Sequence, residues 1–328
     1  MKIFCAGKNT ASFRNEYGTY FDVDLEDYEQ LPKGLDEMLL FNAGTGLTAK
    51  TSDRCEKMLY WGAELIGESE LLEGALCSGL RNRLLSYADI ENVAGTFRFW
   101  LSREPSGKRL FLDSGAFSVF TRGAQINLDE YISYIKEHEK NLFCYAGLDV
   151  IDDPVGTRKN FEIMKKAGLN PVPTFHVGSS LSELELYCAS CSYIALGGMV
   201  PLSRQKETLQ GFLDSCFSIV KKNWPIKVHA FGMTAQWLLE RYPFYSCDST
   251  TAFVGGGMGR VLSFDKGRLT SSVWQDQGKQ GKTAGLVDNL NGDGSKHLAR
   301  RIHNVRVMVR FEKHITDLWK KRGIEWQE

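Results

Sequence analysis

The sequence predicts an α/β fold in which parallel strands alternate with crossover helices and can close into a barrel. From residue 108 onward, short apolar runs alternate with amphipathic stretches at the spacing of a strand–helix unit. A length of 328 residues allows one large barrel of this kind, or two ordinary domains. Two of the apolar runs end in aspartates, Asp113 and Asp248, and a carboxylate there is costly to bury unless it is hydrogen-bonded or used in chemistry.

The regular pattern after residue 108 defines the individual elements. The apolar runs predict strands at residues 109–112, 142–148, 171–175, 193–196, 226–231 and 244–247. The amphipathic stretches between them predict helices at residues 129–140, 155–167 and 205–222. We expect Asp129 to cap the first of these helices and Asp153-Pro154 to open the second.

The N-terminal third of the chain has a weaker pattern. Residues 38–44 could form an earlier strand of the same sheet. Residues 51–100 have a mostly helical pattern, which is clearest at 64–76. We therefore expect residues 1–105 to supply the N-terminal part of the barrel together with helical insertions.

The pattern changes again after Asp248, near the end of a barrel core that spans residues 106–272. The glycine-rich segment from Gly255 to Gly259 is either a flexible turn or a place where backbone amides approach a phosphate. Next comes a predicted hairpin whose turn is Asp265-Lys266-Gly267. Residues 273–328 then form a glycine-rich, polar loop, centred on 275–295, and a basic helix at 297–322.

Composition narrows the class of protein. A hydrophobic content of 43% and a net charge of zero are ordinary for a globular chain and predict no overall attraction to nucleic acid. We expect no membrane span and no signal peptide, because no apolar run is long enough. The 8 scattered cysteines suit a reducing cytoplasm, that of the host for a viral chain. The basic C-terminal helix indicates either a polyanionic partner or a solvated helix face.

Chemistry in a parallel barrel gathers where the strands end. Extending each apolar run to its end gives these positions: Asp113, Asp149, His176, Gly197-Gly198, Phe231-Gly232 and Asp248. Together they could form a pocket for a flat polar ligand, although each aspartate alone could simply cap a helix or turn. We assign His176 a supporting role, and His229, inside a strand, a structural role. The isolated pair Cys188 and Cys191 favours packing over metal binding.

Several of these positions lie within ordered motifs. The motifs are Asp-Ser-Gly-Ala-Phe-Ser at 113–118, Gly-Leu-Asp at 147–149, Leu-Gly-Gly-Met-Val at 196–200, Ala-Phe-Gly-Met at 230–233 and Ser-Cys-Asp-Ser-Thr-Thr at 246–251. With the hairpin sequence that follows, this set resembles the tRNA-guanine transglycosylase family over residues 108–271. The resemblance implies a TIM (β/α)8-type barrel, here with N-terminal additions and a C-terminal basic helix.

The resemblance also implies base exchange at a nucleoside, without a metal or other cofactor. Asp248 would be the nucleophile, Asp113 the general acid and base, and Asp149 the residue that recognises the guanine edge. Phe117 and Phe231 would stack on the base. The other base-binding residues would be Ser114, Gly197, Gly198, Met199, Gly232 and His176. Contacts to the nucleic-acid backbone would come from Arg260, Arg268, Arg300, Arg301 and Arg306.

The sequence departs from the tRNA enzymes of that family at its C-terminus. Their zinc subdomain uses three closely spaced cysteines and a histidine, whereas no cysteine follows Cys247 here. In the first motif, Ala116 and Ser118 stand where the family has glycine and glutamine. The chain is more similar to the divergent phage and bacterial relatives that exchange guanine in DNA for a 7-deazaguanine.

The expected substrates are therefore a nucleic acid, DNA rather than tRNA, and a free 7-deazaguanine base such as preQ0. The alternatives are a zinc-free tRNA-guanine transglycosylase and a noncatalytic nucleic-acid-binding subunit on the same barrel. The incoming base, the sequence context and the oligomeric state stay open.

Overall fold

The computed structural model describes residues 1–6, 80–92, 97, 100–101, 109–120, 125–256, 258–273 and 297–326. They form an α/β fold on an eight-stranded, parallel, strongly curled sheet, compatible with a TIM-like barrel. The strands are β1 (Lys2–Cys5), β2 (Asn82–Ser86), β3 (Arg109–Asp113), β4 (Cys144–Tyr145), β5 (Thr174–His176), β6 (Tyr193–Gly197), β7 (Lys227–Ala230) and β8 (Ser246–Ser249). The helices are α1 (Ala116–Phe120), α2 (Leu128–His138), α3 (Pro154–Lys166), α4 (Leu181–Ser190), α5 (Lys206–Lys222), α6 (Gln236–Arg241) and α7 (His297–Lys321).

The strands lie side by side in the order β4-β3-β2-β1-β8-β7-β6-β5, and each neighbouring pair is parallel. Next to the two outermost strands, the amide of Val172 donates to the carbonyl of Tyr145 at 2.8 Å, and the amide of Gly147 donates to the carbonyl of Val172 at 2.9 Å. Because the strands share one direction, their carboxyl ends lie at the same end of the curled sheet. That end is where side chains from distant parts of the chain can meet.

Alternate strand residues enter two separate apolar clusters. In β3, Leu110 belongs to the larger cluster, which also contains the buried helix residues, whereas Phe111 belongs to the smaller one. The smaller cluster consists of Phe4, Ala6, Leu84, Phe111, Ala146, Val172 and Ala195. In β7, Val228 and Ala230 belong to the larger cluster, so the ring of His229 between them lies on the opposite face, 4.8 Å from that of Phe111. The alternation therefore places His229 inside the curled sheet.

The helices predicted at 129–140, 155–167 and 205–222 are confirmed as α2, α3 and α5, with small shifts at their ends. The predicted cap at Asp129 is wrong. The Asn127 side chain caps α2 instead, because it accepts from the amide of Asp129 at 2.9 Å and from the following amide at 3.3 Å. Asp129 lies in the first turn, where the helix dipole favours a carboxylate. Asp153 caps α3 as predicted and accepts from the amide of Gly156 at 2.9 Å.

The predicted hairpin is confirmed as an antiparallel pair, β9 (Arg260–Asp265) and β10 (Arg268–Val273). Lys266 and Gly267 connect the strands with φ angles of 47° and 76°, as a two-residue hairpin turn requires. In the glycine-rich segment before it, Gly259 lies in a turn with a φ of +83°, and Gly255 ends a helical element. Residues 251–255 form a π-helical turn, in which Phe253 is fully buried.

The C-terminal helix α7 packs against β1, β9 and the turn at 251–255. Its Asn304 accepts from the amide of Leu262 at 2.8 Å. Its Glu312 accepts from the amide of Ile3 at 2.6 Å and from the Asn82 side chain at 2.9 Å, and burial raises the pKa of this carboxyl. The helix thus contributes to the core and is not simply a solvated basic element.

Sequence analysis missed two strands. It did not assign β1, and β2 lies within residues 51–100, which we expected to be mostly helical. The expected strand at 38–44, the helix at 64–76 and the loop at 275–295 lie outside the described residues. Among the residues that the structure describes, no helix combines the length and apolarity needed to cross a membrane.

Candidate active site

Three aspartates converge at the carboxyl end of the sheet. Asp113 ends β3, Asp149 follows β4 and Asp248 lies in β8. The pKa of Asp113 rises from 3.8 to about 7, chiefly because the group is buried and further because the charges of Asp149 and Asp248 repel its ionised form. Hydrogen bonds from the amides of Gly115 and Ser114 oppose this rise only in part. Both other carboxylates therefore lie close enough to Asp113 to change its protonation.

A tight turn holds Asp113 in place. The amide of Gly115 donates to Asp113 Oδ2 at 3.1 Å, and Gly115 adopts a φ of +80°. A Cβ atom at this position would lie 2.2 Å from the hydroxyl oxygen of Ser86 and 2.6 Å from the Cβ of Ala88. Only glycine fits both the backbone conformation and the space. The predicted base-binding residue Ser114 is buried, and its hydroxyl accepts from the amide of Ala116 at 3.4 Å, so it stabilises the same turn.

Asp149 is paired through one oxygen and free at the other. Its Oδ2 lies 3.4 Å from His176 Nε2, whereas its buried Oδ1 has no hydrogen-bond partner among the described residues. Burial lowers the pKa of His176, but the hydrogen bond to Asp149 and the charges of Asp149 and Asp152 outweigh burial and raise it overall. The supporting role expected for His176 thus has a specific partner. The unsatisfied Oδ1 is available to a ligand that presents an N–H group.

Asp248 is held by two donors on a single oxygen. The amide of Gly232 donates to Asp248 Oδ1 at 2.7 Å, and His229 Nε2 lies 3.3 Å from the same oxygen. The His229 ring is fully buried, and burial lowers its pKa. We expected His229 to be purely structural, but its contact with Asp248 makes it a functional candidate.

The predicted glycines lie between these groups and are crowded by side chains. A Cβ on Gly197 would lie 2.9 Å from His176 Cδ2, and Gly198 has a φ of +72°. Gly232 has a φ of +68°, and its Cβ would lie 2.6 Å from Val200 Cγ2. These contacts require glycine at 197 and 232 whether or not a ligand is bound.

The apolar residues expected to contact a base occupy three different environments. Phe117 on α1 is 67% exposed. Phe231 is half-buried, and its ring centroid lies 4.5 Å from that of His229. Met199 is fully buried in the larger apolar cluster, so its predicted place in the pocket lining is wrong: the side chain is used in packing.

Some of the predicted phosphate-binding arginines are exposed and others are buried. Arg260, Arg268 and Arg306 are exposed. Arg300 and Arg301 are buried, and their Nε atoms donate to the carbonyls of Gly256 and Phe253 at 2.9 and 3.1 Å. The prediction for Arg300 and Arg301 is therefore wrong, because these side chains join α7 to the turn after β8.

We considered three other features of the described residues as alternative sites: metal-binding clusters, the cysteine pair and a cavity. Within the described residues, no group of His, Cys, Asp and Glu side chains could hold a metal ion. Cys188 and Cys191 are free thiols, and burial raises the pKa of both. A cavity of about 310 Å³, lined by Tyr145, Tyr193, Lys227 and their neighbours, lies at the amino ends of β6 and β7. It is thus at the opposite end of the sheet from the aspartates.

Sequence reasoning missed a helix residue that lies close to the site. Tyr131 of α2 is fully buried, and its hydroxyl donates to the carbonyl of Ala146 at 2.9 Å. Burial and the charges of Asp113 and Asp149 raise its pKa. For His229 the available signal was a polar residue between apolar residues of strand β7, whereas the charged helical segment around Tyr131 offers no such signal.

A scan of this sequence against protein-family models finds no match, and a search of curated proteins also finds none.

Proposed function

We propose that this protein is a base-exchange transglycosylase that replaces guanine in DNA with a 7-deazaguanine base. The observation that carries the proposal is the convergence of Asp113, Asp149 and Asp248, in which Asp113 acquires a pKa of about 7. The proposed scaffold is a closed TIM (β/α)8-type barrel, and the proposed compartment is the cytoplasm. The reaction needs no metal or redox cofactor.

The first half of the reaction transfers the sugar to the protein. The carboxylate of Asp248 attacks C1′ as the bond from C1′ to guanine N9 breaks, which leaves a covalent glycosyl ester as in retaining glycosidases. Asp113 gives its proton to the departing purine. In the second half, the incoming base returns a proton to Asp113, its N9 bonds to C1′, and Asp248 is released. Atoms and charges therefore balance without another reactant.

Asp113 suits both halves of this cycle. A group with a pKa near the working pH is present in both protonation states and acts well as acid and as base. Burial and the two neighbouring aspartates supply the necessary shift. An aspartate with its ordinary pKa would hold almost no proton at neutral pH.

Asp149 is the proposed selectivity residue. Guanine presents N–H donors at N1 and at the exocyclic amino group, and a carboxylate can accept from both. Adenine presents an acceptor at N1 and would face Asp149 with like polarity. The unsatisfied Oδ1 of Asp149, together with the His176 contact at Oδ2, fits this assignment.

The nucleotide must leave its stack to reach this site, which costs a few kcal/mol in a duplex. Phe117, exposed on α1, and half-buried Phe231 would stack on the two faces of the extruded base. Exposed Arg260, Arg268 and Arg306 would bind the backbone. Buried Arg300 and Arg301 are not part of this proposal.

Labelled base incorporation tests the function directly. Purified protein is incubated with labelled guanine or preQ0 and with duplex DNA, single-stranded DNA or tRNA in parallel. We expect incorporation into DNA, abolished by Asp248→Asn and retained by Asp317→Asn, a change at an exposed α7 carboxylate. Incorporation into tRNA alone would support the zinc-free tRNA enzyme instead, and incorporation into none of the three would refute the proposal.

A further inference from the structure

A buried chain of side chains leads from the sheet interior to Asp248. His229 Nε2 lies 3.3 Å from Asp248 Oδ1, and His229 Nδ1 lies 2.7 Å from Ser246 Oγ. Ser246 Oγ in turn lies 2.6 Å from the hydroxyl of Tyr193. His229 and Ser246 are fully buried. The base-exchange steps above assign no task to these three residues, yet the hydrogen-bonded chain that they form ends at the proposed nucleophile.

The chemistry of the groups fixes the direction in which this chain donates. A carboxylate oxygen only accepts, so His229 Nε2 carries the hydrogen that faces Asp248. Burial lowers the pKa of His229, so the ring is neutral and its Nδ1 accepts from Ser246. Ser246 then accepts from Tyr193, whose pKa burial raises well above its usual value. Each member thus donates toward Asp248, and the ring cannot turn over without breaking two hydrogen bonds.

The same arrangement makes the two oxygens of Asp248 inequivalent. Oδ1 accepts from His229 and also from the amide of Gly232, at 2.7 Å. Oδ2 has no hydrogen-bond partner within the described part of the chain. The backbone of Gly232 is itself fixed, because its φ is +68° and a Cβ would meet Val200. Oδ1 therefore accepts two N–H hydrogen bonds, and Oδ2 accepts none from the described residues.

We propose that His229 is a positioning residue that orients the Asp248 carboxylate, so that Oδ2 is the atom that attacks C1′. This inference rests on the proposed function. In the attack, the bond from Oδ2 to C1′ forms as the bond from C1′ to N9 breaks, and the chain from Tyr193 to Asp248 moves no proton. A protonated His229 ring would weaken the Asp248 carboxylate as a nucleophile, because its full positive charge would stabilise the negative oxygen. A neutral ring orients the carboxylate without this effect. Correct orientation of reacting atoms carries a large share of enzymatic rate, and small misplacements can cost about 100-fold.

Single-turnover formation of the covalent adduct on Asp248 tests this role. His229→Leu removes both hydrogen bonds, His229→Gln restores an N–H donor and an acceptor, and Val228→Ala perturbs the opposite face of the same strand. We expect His229→Leu to form adduct about 10- to 100-fold more slowly, with KM for the nucleic acid changed less than about threefold. His229→Gln should recover most of the rate, and Val228→Ala should leave it unchanged.

A second measurement keeps the inference testable if His229→Leu folds poorly. Urea unfolding of wild type, His229→Phe, Asp248→Ala and the double variant gives the coupling between the two side chains, because each single change removes the hydrogen bond between them. We expect a coupling of about tenfold in the unfolding equilibrium constant, as for a hydrogen bond to a charged group. Absence of coupling overturns the inference.

The adduct experiment separates the two proposals. If wild-type protein forms adduct and His229→Leu forms it as fast as Val228→Ala does, the positioning role is wrong and the proposed function stands. If wild-type protein forms no adduct and incorporates no base, the proposed function fails, and the role of His229 in that reaction fails with it.

Discussion

Replacing Asp113 with asparagine should stabilise the folded protein at neutral pH while abolishing base exchange. The folded environment raises the pKa of this carboxyl from 3.8 to about 7. A tenfold change in a proton-binding constant corresponds to about 1.36 kcal/mol, so ionised Asp113 destabilises the fold by no more than about 4 kcal/mol. Asparagine carries no charge and has no such cost.

The sign of the pH dependence follows from the same rise in pKa. Below pH 3.8 the carboxyl is protonated in both the folded and the unfolded chain, and its contribution to stability is fully present. Between 3.8 and about 7 only the folded protein keeps the proton, so stability falls as the pH rises. Above that range both states are ionised and the loss is complete. The advantage of Asp113→Asn should therefore grow by about 2 to 3 kcal/mol between pH 5 and pH 8 and then level off.

Urea unfolding of both proteins at pH 5, 6, 7 and 8 measures this difference. Asp129→Asn, at an exposed carboxylate in the first turn of α2, is the matched control, whose free energy of unfolding should stay parallel to that of wild type. A difference between Asp113→Asn and wild type that stays constant across this range, or shrinks as the pH rises, would refute the reasoning.

Four further variants test other features of the structure by urea unfolding or DNA binding. Asp149→Asn removes one charge that repels ionised Asp113, so it should lower the pKa of Asp113. In the same urea series, the free energy of unfolding should then begin to fall at a lower pH. Gly115→Ala should lower the free energy of unfolding by about 1 to 3 kcal/mol, from backbone strain plus the clash with Ser86, whereas Gly168→Ala, at a φ of +86° with no neighbour within 4 Å, should lose only about 1 kcal/mol. Arg306→Ala should weaken DNA binding uniformly across sequences and reduce the salt slope by about 1, and an unchanged slope would remove it from the interface.

The strands after residue 108 could be predicted because their signal is local. Each strand of the large sheet there is a short apolar run, and residues such as Asp113 and His176 are visible in the sequence where the runs end. β2 lacks that signal, since it contains Asn82 and Arg83, both buried. Asn82 donates to Glu312 of α7, and Arg83 donates to the carbonyl of Cys5 at 2.7 Å. Partners so distant in sequence cannot be inferred from composition, so the strand looks too polar.

Contacts between residues distant in sequence also explain why the burial of two C-terminal arginines was not predicted. A basic helix predicts a charged face toward solvent, and Arg306 conforms. Arg300 and Arg301 instead satisfy backbone carbonyls in the π-helical turn at 251–255 and at Gly256. Each of those carbonyls also accepts from a backbone amide, that of Gly256 for Phe253 and that of Gly259 for Gly256, so the arginines are additional donors that link α7 to a segment whose sequence indicated flexibility.

Burial shifts the pKa values of Asp113 and His229 in opposite directions. It raises the pKa of Asp113, which favours a protonated carboxyl, and it lowers the pKa of His229, which favours a neutral ring. A proton donor and an uncharged hydrogen-bond donor therefore arise from the same apolar surroundings. Asp248 differs from both because Oδ1 accepts from two N–H groups while Oδ2 accepts from none of the residues that the structure describes. In the proposed reaction, the strand-end positions visible in the sequence supply the reacting groups, while the strand-interior residue beside them decides which oxygen reacts.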